Sequence, residues 1–134
     1  MATHFSGPVV SNAGFQGDLA GNVTGNVAGN VVGGQTLPAA TAYAADGAIS
    51  PAVQNVSLTK GTAGAYTLDV PGAGNVGKLM LIVSASAAAH VITAASLDGG
   101  GLLTFGAAIG NCCLLYARSA TAWSIVSLTN VVLS

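Results

Sequence analysis

The clearest chemical pattern in the chain is Gly72-Ala73-Gly74-Asn75-Val76-Gly77-Lys78, which matches both G-x-G-x-x-G and G-x-x-x-x-G-K. Both patterns bind phosphate only where a helix begins at the last glycine, because the N-terminus of that helix holds the anion. Here the apolar run 79–83 follows, which is typical of a strand, and Leu79 stands where a Ser or Thr would hold magnesium. We therefore interpret 71–78 as a hairpin turn and predict no nucleotide cofactor.

A hydrolase would need His90, in the run A-A-A-H-V-I-T, to act with a serine and with Asp98. The chain has no G-x-S-x-G motif to place that serine on a sharp turn. Asp69 and Asp98 are the only carboxylates near the predicted core strands, which is too few to nominate an acid–base pair. We interpret His90 as a strand or turn histidine and predict no catalytic residue. An esterase-like enzyme that uses His90 is the least favoured alternative.

A metal site would draw on His4, His90, Cys112 and Cys113, whose spacing fits no common cluster. The two cysteines are adjacent, so on a strand they face opposite ways, and a bridge between them would be strained. We predict two reduced thiols and no metal. Trp123 is a candidate for stacking on a sugar, but the run A-W-S-I-V favours a position in the core.

Charged residues are rare in this chain of 134 residues: three cations and four carboxylates give a net charge of −1, while 51% of the residues are apolar. A soluble surface is normally rich in charge, so we expect much of this surface to be buried in an assembly. The lack of a basic patch argues against nucleic acid. The charge-free window 79–97 is interrupted by Ser, Thr and His, which favours two strands joined by a turn over a membrane span. The start M-A-T-H-F-S-G-P lacks the features of a signal peptide.

The segment 17–34 is a tandem repeat of four residues, in which an apolar residue follows each repeated Gly by two positions. A period of four fits an extended strand and drifts around a helix. A single such strand leaves its backbone unpaired, so it needs copies of itself, and glycine lets three backbones approach one axis closely. The alternative is a flexible Gly-rich linker, which does not need Val in register. We predict a three-chain stem with the interface residues Leu19, Gly21, Val23, Gly25, Val27, Gly29 and Val31.

From residue 48 onward, short runs rich in Val, Ile, Leu and Thr are separated by Gly, Asn, Asp and Pro, which is typical of a sandwich or barrel. The run Met80–Val83 is apolar at every position, so we expect its strand to be covered on both sides. Residues 33–47 have the composition of a linker. We divide the chain into an extended arm with stem and linker, 1–46, and a β-sandwich, 47–134. The predicted strands are 53–59, 65–70, 78–84, 89–95, 102–105, 112–117, 122–128 and 130–133.

The order of several short motifs resembles small head proteins of tailed bacteriophages, variously called decoration, cement or head-fibre proteins. The matching pieces are M-A-T-H-F-S-G-P-V-V-S-N-A-G-F with G-N-V-T-G-N-V, then D-G-A-I-S, L-T-K-G, P-G-A-G-N-V-G-K-L, A-A-A-H-V-I-T, F-G-A-A-I-G-N, A-W-S-I-V and N-V-V-L-S. They span nearly the whole chain. The resemblance implies an all-β, small jelly-roll-like β-sandwich, a homotrimer, and binding to the outside of a capsid, with no catalytic residues.

These observations predict a trimeric virion structural protein that clamps neighbouring copies of the major capsid protein. It would be made in the host bacterial cytoplasm and reside on the capsid exterior. We expect no cofactor and no small-molecule substrate. The main alternative is a receptor- or carbohydrate-binding fibre or spike component of the virion. Its groove would be lined by exposed aromatic residues, and only three Tyr, three Phe and one Trp are present.

Overall fold

The computed structural model describes residues 37–134, so the predicted stem residues from Leu19 to Val31 lie outside the described part. The described chain contains ten strands and one single-turn 3₁₀ helix, Ala73–Asn75, and no α-helix. None of its helices is long and apolar enough to cross a membrane. The strands are β1 Thr41–Tyr43, β2 Gly47–Ile49, β3 Asn55–Leu58, β4 Gly64–Leu68, β5 Leu79–Ser84, β6 His90–Leu97, β7 Gly100–Phe105, β8 Cys112–Ser119, β9 Ala122–Thr129 and β10 Val131–Leu133.

Side chains along the strands alternate between the interior and the outer surface, and the inward ones pack into one core. In β4, Tyr66 and Leu68 are buried while Ala65 and Thr67 are exposed, as the two-residue period of a strand requires. Strands from both halves of the sheet contribute to the same buried cluster. Its largest fully buried members are Trp123, Tyr66, Phe105, Ile49, Leu58, Leu68, Met80, Ile82, Ile92, Leu103 and Leu115.

The first six strands alternate between two halves of the sheet. Strands β1, β3 and β5 lie side by side in parallel, and β2, β4 and β6 do the same in the other half. Each connection therefore crosses from one half to the other. Parallel neighbours need such a crossover, since a tight turn can join only antiparallel strands.

The last four strands complete the sheet with antiparallel pairs. Strand β8 pairs with β5 and β9, while β7 pairs with β6 and β10. The two halves are joined where Leu97 of β6 pairs with Trp123 of β9. The result is a nearly closed, barrel-like sheet. The all-β prediction is confirmed for the described residues. Its jelly-roll detail is not, because a jelly roll is built from antiparallel Greek keys and this sheet has parallel ladders in both halves.

All eight predicted strands are present, and two short strands add to them. Strand β1 lies within 33–47, the segment interpreted as a linker, and pairs in parallel with β3. Its Thr and Ala residues give no strong strand pattern; the pairing uses backbone groups, which every residue carries. The sheet thus begins at Thr41, ahead of the domain boundary predicted at residue 47.

The interpretation of 71–78 as a hairpin turn is wrong. The segment joins β4 to β5, and these strands are not neighbours: β4 pairs with β2 and β6, whereas β5 pairs with β3 and β8. Both edges of β4 are occupied, so the chain must cross to the other half. Gly72 and Gly77, with φ of 75° and 86°, allow the two bends of this crossover. By contrast, 97–101 does form a hairpin, between β6 and β7, with Gly99 at φ 91°.

Candidate functional site

His90 begins strand β6 and is completely buried, with 0% of its surface exposed. It pairs with Gly64 of β4 on one side and with Phe105 of β7 on the other. The ring of Tyr66 meets the imidazole edge to face, with 5.7 Å between ring centroids. The histidine therefore belongs to the interior of the sheet, as the sequence interpretation of a strand histidine expected.

The hydrogen bonds around Ser86 determine the tautomer of His90. Ser86 Oγ donates to the carbonyl oxygen of Lys60 at 2.6 Å and lies 2.9 Å from His90 Nε2. A serine hydroxyl has one proton, so Ser86 Oγ accepts from Nε2–H. This direction is the reverse of the one in a catalytic Ser–His pair, in which the imidazole nitrogen accepts the serine proton.

The other ring nitrogen, His90 Nδ1, is buried without a hydrogen-bond partner in the described part of the chain. A Cβ at Gly64 would lie 2.9 Å from Nδ1 and 2.8 Å from the hydroxyl oxygen of Tyr66, so only glycine fits there. Burial lowers the pKa of His90, and the positive charge of Lys60 lowers it further, while Asp46 acts weakly in the opposite direction. The neutral imidazole is the form that this pocket holds.

Asp98 lies beyond the opposite end of β6 and does not meet His90. Its oxygens accept hydrogen bonds from Arg118 Nε at 3.1 Å, Arg118 Nη2 at 3.0 Å and Ser124 Oγ at 2.6 Å. These bonds, that of Ser124 first, lower the pKa of Asp98. At about 3.3 Å per residue, the strand separates the two side chains by roughly 25 Å. The structure thus brings together no Ser–His–Asp triad at His90.

Two of the three cations in the chain are paired with carboxylates. Lys60 Nζ lies 2.7 Å from an oxygen of Asp46, which also accepts a hydrogen bond from the backbone N–H of Ala65. Arg118 is held by Asp98. The Lys60 ammonium and the Ala65 N–H, in that order, lower the pKa of Asp46. Within residues 37–134, two ion pairs therefore neutralise four of the charged side chains, and Lys78 and Asp69 lie outside these pairs.

The crossover 71–78 has no free phosphate cradle. The backbone N–H groups of Gly72 and Gly77 donate to Ala120 and Ala117 in the neighbouring strand region, at 2.8 Å each. The N–H of Lys78 donates to the carbonyl of Asn75, whose side chain also accepts from Lys78 Nζ at 2.9 Å. A phosphate site needs such amides to point at the anion, and strand β5 rather than a helix follows.

The cysteines and the tryptophan lie where the sequence placed them. Cys113 is buried and Cys112 half-buried on opposite sides of β8, and both are free thiols. Burial, with a smaller contribution from Cys112, raises the pKa of Cys113 to about 12, so this thiol is unreactive. Trp123 is 1% exposed and its indole N–H donates to the carbonyl of Asp69 at 2.9 Å, which makes it a core residue. Within the described residues, no cluster of His, Cys or Asp is arranged to hold a metal ion.

One surface stands out from the rest. On the outer side of β5 and β8, six apolar side chains form three cross-strand pairs; we name this surface the apolar face. Its members are exposed or half-buried, and they are not among the side chains that pack on the core. The pairs are Leu79 with Tyr116, Leu81 with Leu114, and Val83 with Cys112.

One signal in the sequence pointed to this surface, but its interpretation was incomplete. The continuous apolar run Met80–Val83 predicted a strand covered on both sides. The inner side is covered, since Met80 and Ile82 are buried. On the outer side Leu81 and Val83 are half-buried and Leu79 is 43% exposed, so no other element of residues 37–134 covers them fully.

The outer side of the other half differs. There β2, β4 and β6 present small or hydroxyl-bearing side chains that line an open depression of about 320 Å³. The exposed lining residues are Ala48, Thr67, Asp69, Thr93 and Ala95. No aromatic residue lines it, so it lacks the platform on which a sugar ring would stack.

Comparison of the chain with models of protein families, with curated proteins and with solved structures finds no match.

Proposed function

We propose that this protein is a virion structural protein of a tailed bacteriophage, which binds the outside of the capsid and stabilises the shell. The observation that carries the proposal is the surface of the β domain, which combines an apolar face with locally neutralised charges. Such a surface suits contact with other protein subunits. The order of motifs that resembles decoration, cement and head-fibre proteins supplies the virion context.

In this proposal three chains assemble, and the repeat 17–34 forms their common stem. The stem is tested by Val27→Asp, which would bring three carboxylates together at an apolar axis, with Asn26→Asp as the matched control on the other face. Burying unpaired charge costs several kcal/mol, so thermal stability of the trimer should fall clearly for Val27→Asp alone. Equal behaviour of the two variants would contradict the stem.

The stabilising mechanism is mass action. A ligand that binds the assembled lattice but not free or disrupted subunits stabilises the lattice by RT ln(1 + [L]/Kd), about 2.7 kcal/mol at a hundredfold excess over Kd. A protein that bridges neighbouring copies of the major capsid protein would act in this way. No chemical step is involved, and no residue needs to be catalytic.

The competing function is a receptor- or carbohydrate-binding component of a fibre or spike. The depression beside Thr67, Asp69 and Thr93 is the feature that favours it, since hydroxyl and carboxylate oxygens bond to sugar hydroxyls. The lack of an aromatic platform there makes it the weaker candidate.

Binding to capsids and to host cells separates these functions. Purified protein is mixed with capsids that lack it, and with intact host cells, and is then sedimented. We expect saturable co-sedimentation with capsids and a higher temperature of capsid disruption when the protein is bound. Binding to cells with no binding to capsids would overturn the proposed function and favour the fibre or spike.

A further inference from the structure

The buried imidazole of His90 has no place for a second proton. It donates Nε2–H to Ser86 Oγ, and its Nδ1 is buried without a hydrogen-bond partner within residues 37–134. The ring of Tyr66 and the backbone of Gly64 adjoin the imidazole, because a Cβ on that glycine would come within 2.9 Å of Nδ1. A proton on Nδ1 would be a buried donor with no acceptor, which folded proteins avoid. The closed pocket therefore excludes the charged form of this histidine.

The charged and titratable groups around His90 come from three segments. Lys60, after β3, and Asp46, before β2, are paired with each other and act on the imidazole in opposite directions, with the effect of Lys60 the larger. Strand β4 adds Tyr66, and burial followed by the charge of Asp46 raises the pKa of its hydroxyl, which stays neutral. Strand β7 adds Phe105, which does not titrate, and β6 carries no other titratable side chain. Together with burial, these surroundings favour the neutral imidazole.

A lightly held part of the sheet is bonded to the residues around His90. We name it the end segment: residues 41–49, which comprise β1, the connection 44–46 and β2. Each of its strands has three residues and pairs on one side only, β1 with β3 and β2 with β4. Ile49 is the only residue of the end segment that is buried. Short strands with few buried side chains open more readily than the core of a sheet.

The carbonyl oxygen of Tyr43 is the first link between the end segment and the histidine. It accepts hydrogen bonds from the backbone N–H of Thr59 at 3.0 Å and from the hydroxyl of Tyr66 at 3.3 Å. The ring of Tyr66 is the one that meets the imidazole of His90. A movement of this ring that makes room for a second proton therefore disturbs a bond that holds β1.

The carboxylate of Asp46 is the second link. Its Oδ1 accepts from Lys60 Nζ at 2.7 Å and from the backbone N–H of Ala65 at 2.8 Å. The carbonyl oxygen of Lys60 accepts from Ser86 Oγ, which in turn accepts the Nε2–H of His90. The imidazole and the residue that precedes β2 thus belong to one hydrogen-bonded network.

We propose that the end segment is an acid-sensitive strap, which is released from β3 and β4 when His90 is protonated while the rest of the sheet stays folded. Release of the end segment gives water access to the imidazole, which then takes up the proton that the closed pocket excludes. By linkage, the equilibrium constant for opening rises as the pH falls below the ordinary histidine pKa of 6.5. This device goes beyond the proposed capsid binding and does not depend on it. Residues 1–40 join the sheet through the end segment, so acid would change how they are attached.

Native-state hydrogen exchange of the full chain, followed by NMR at pH 7.5 and at pH 5.5, tests the opening. The reporters are the amide protons of Thr59 and Ala65, which are bonded to Tyr43 and Asp46 of the end segment. After correction for the intrinsic exchange rate, their opening constants should rise severalfold at pH 5.5, with a ceiling of about tenfold set by the ordinary histidine pKa. Low concentrations of urea should hardly change these constants, because a local opening exposes little surface.

The controls separate this end of the sheet from the other end and one histidine from the other. The amide of Asp98 donates to the carbonyl of Trp123 at 3.0 Å beyond the far end of β6, where opening leaves His90 buried. Its opening constant should be the same at both pH values. The matched variants are His90→Gln and His4→Gln, which removes the only other histidine of the chain. The reporters should lose their pH dependence in His90→Gln and keep it in His4→Gln.

Three results would overturn the strap. One is a pair of opening constants at Thr59 and Ala65 that do not change with pH. Another is an equal rise at Asp98, which would indicate a change of the whole sheet. The third is a pH dependence that survives in His90→Gln. If that variant does not fold, the wild type and His4→Gln still decide, because reporters and control amide are compared within one molecule. Capsid binding at pH 7.5 bears on the proposed function alone.

Discussion

The two halves of this barrel-like sheet have similar inner surfaces and different outer ones. Inside, both contribute large apolar residues to one core. Outside, β5 and β8 carry Leu, Val, Cys and Tyr, whereas β2, β4 and β6 carry Ala and Thr around an open depression. Folding requires only the inner pattern, so the fold does not account for the difference between the outer surfaces.

The largest effect is expected from a charge placed on the apolar face. The same charge on the outer surface of the other half should have no effect. Leu114→Asp places a carboxylate in the middle of the apolar face, where the contact with capsid subunits in the proposed function would strip it of water at a cost of several kcal/mol. Binding to capsids should weaken by 100-fold or more. Thr93→Asp, on the exposed surface of β6, should leave that binding unchanged. Co-sedimentation of both variants with capsids that lack the protein checks this, and equal weakening of the two would remove the distinction between the outer surfaces.

A smaller effect is expected from a substitution at Gly64, which lies in the interior that the two halves share. A Cβ there would lie 2.7 Å from Tyr66 Cε2 and 2.9 Å from His90 Nδ1, so Gly64→Ala must displace two fully buried rings. We expect a loss of about 1–3 kcal/mol in the free energy of unfolding, measured by urea titration. Gly61→Ala is the control, because a Cβ at that position meets nothing within 4 Å. A neutral Gly64→Ala would show that the packing around His90 is loose.

The buried imidazole predicts how stability depends on pH. Burial lowers the pKa of His90 in the folded protein below the ordinary value of 6.5, so near and below that pH the unfolded chain binds more protons. Stability should therefore fall as pH decreases from 6.5 towards the folded-state pKa, and should be fully present above 6.5. The urea midpoint at pH 7.5 and at pH 5.5 measures this. His90→Gln should flatten the dependence, and an unchanged slope in that variant would assign it to other groups.

The smallest effect is expected in the crossover between the halves. Lys78 is exposed and its ammonium group bonds only to Asn75 within the described residues. Lys78→Ala should change the free energy of unfolding by no more than about 0.5 kcal/mol, as is usual for surface substitutions. ATP or NAD should not raise the melting temperature of the wild type. A rise at millimolar ligand that is lost in Lys78→Ala would restore the phosphate-binding interpretation of 72–78.

Strand positions followed closely from the sequence because each strand carries its own evidence. The alternation in Tyr66 and Leu68 marks an inner face, and the glycines at 99–101 mark a hairpin, without knowledge of any distant residue. Strand β1 escaped prediction for the opposite reason. It is held by backbone pairing with Val56–Leu58, and only the partner strand makes Thr41–Tyr43 extended.

The surroundings of the candidate site residues were harder to predict from the sequence than the strand positions were. The absence of a helix after Gly77 was foreseen from the apolar run that follows, and strand β5 does follow. The surroundings of His90 were not foreseen, because they combine Gly64 and Tyr66 of the distant strand β4 with Ser86 of the loop before β6. No spacing in the sequence encodes that meeting.

The sequence by itself determined that the described chain is built of strands, where most of them lie, and which side chains of each share a side, since these depend on local periodicity and turn residues. The tertiary structure alone decided which strands are neighbours. Met80 and Leu81 are equally apolar in sequence, yet Met80 lies in the core and Leu81 on the outer side. Only the crossover after β4, which carries β5 into the other half of the sheet, fixes what covers each side. That choice is non-local, because it depends on which backbone edges remain free after the earlier strands have paired.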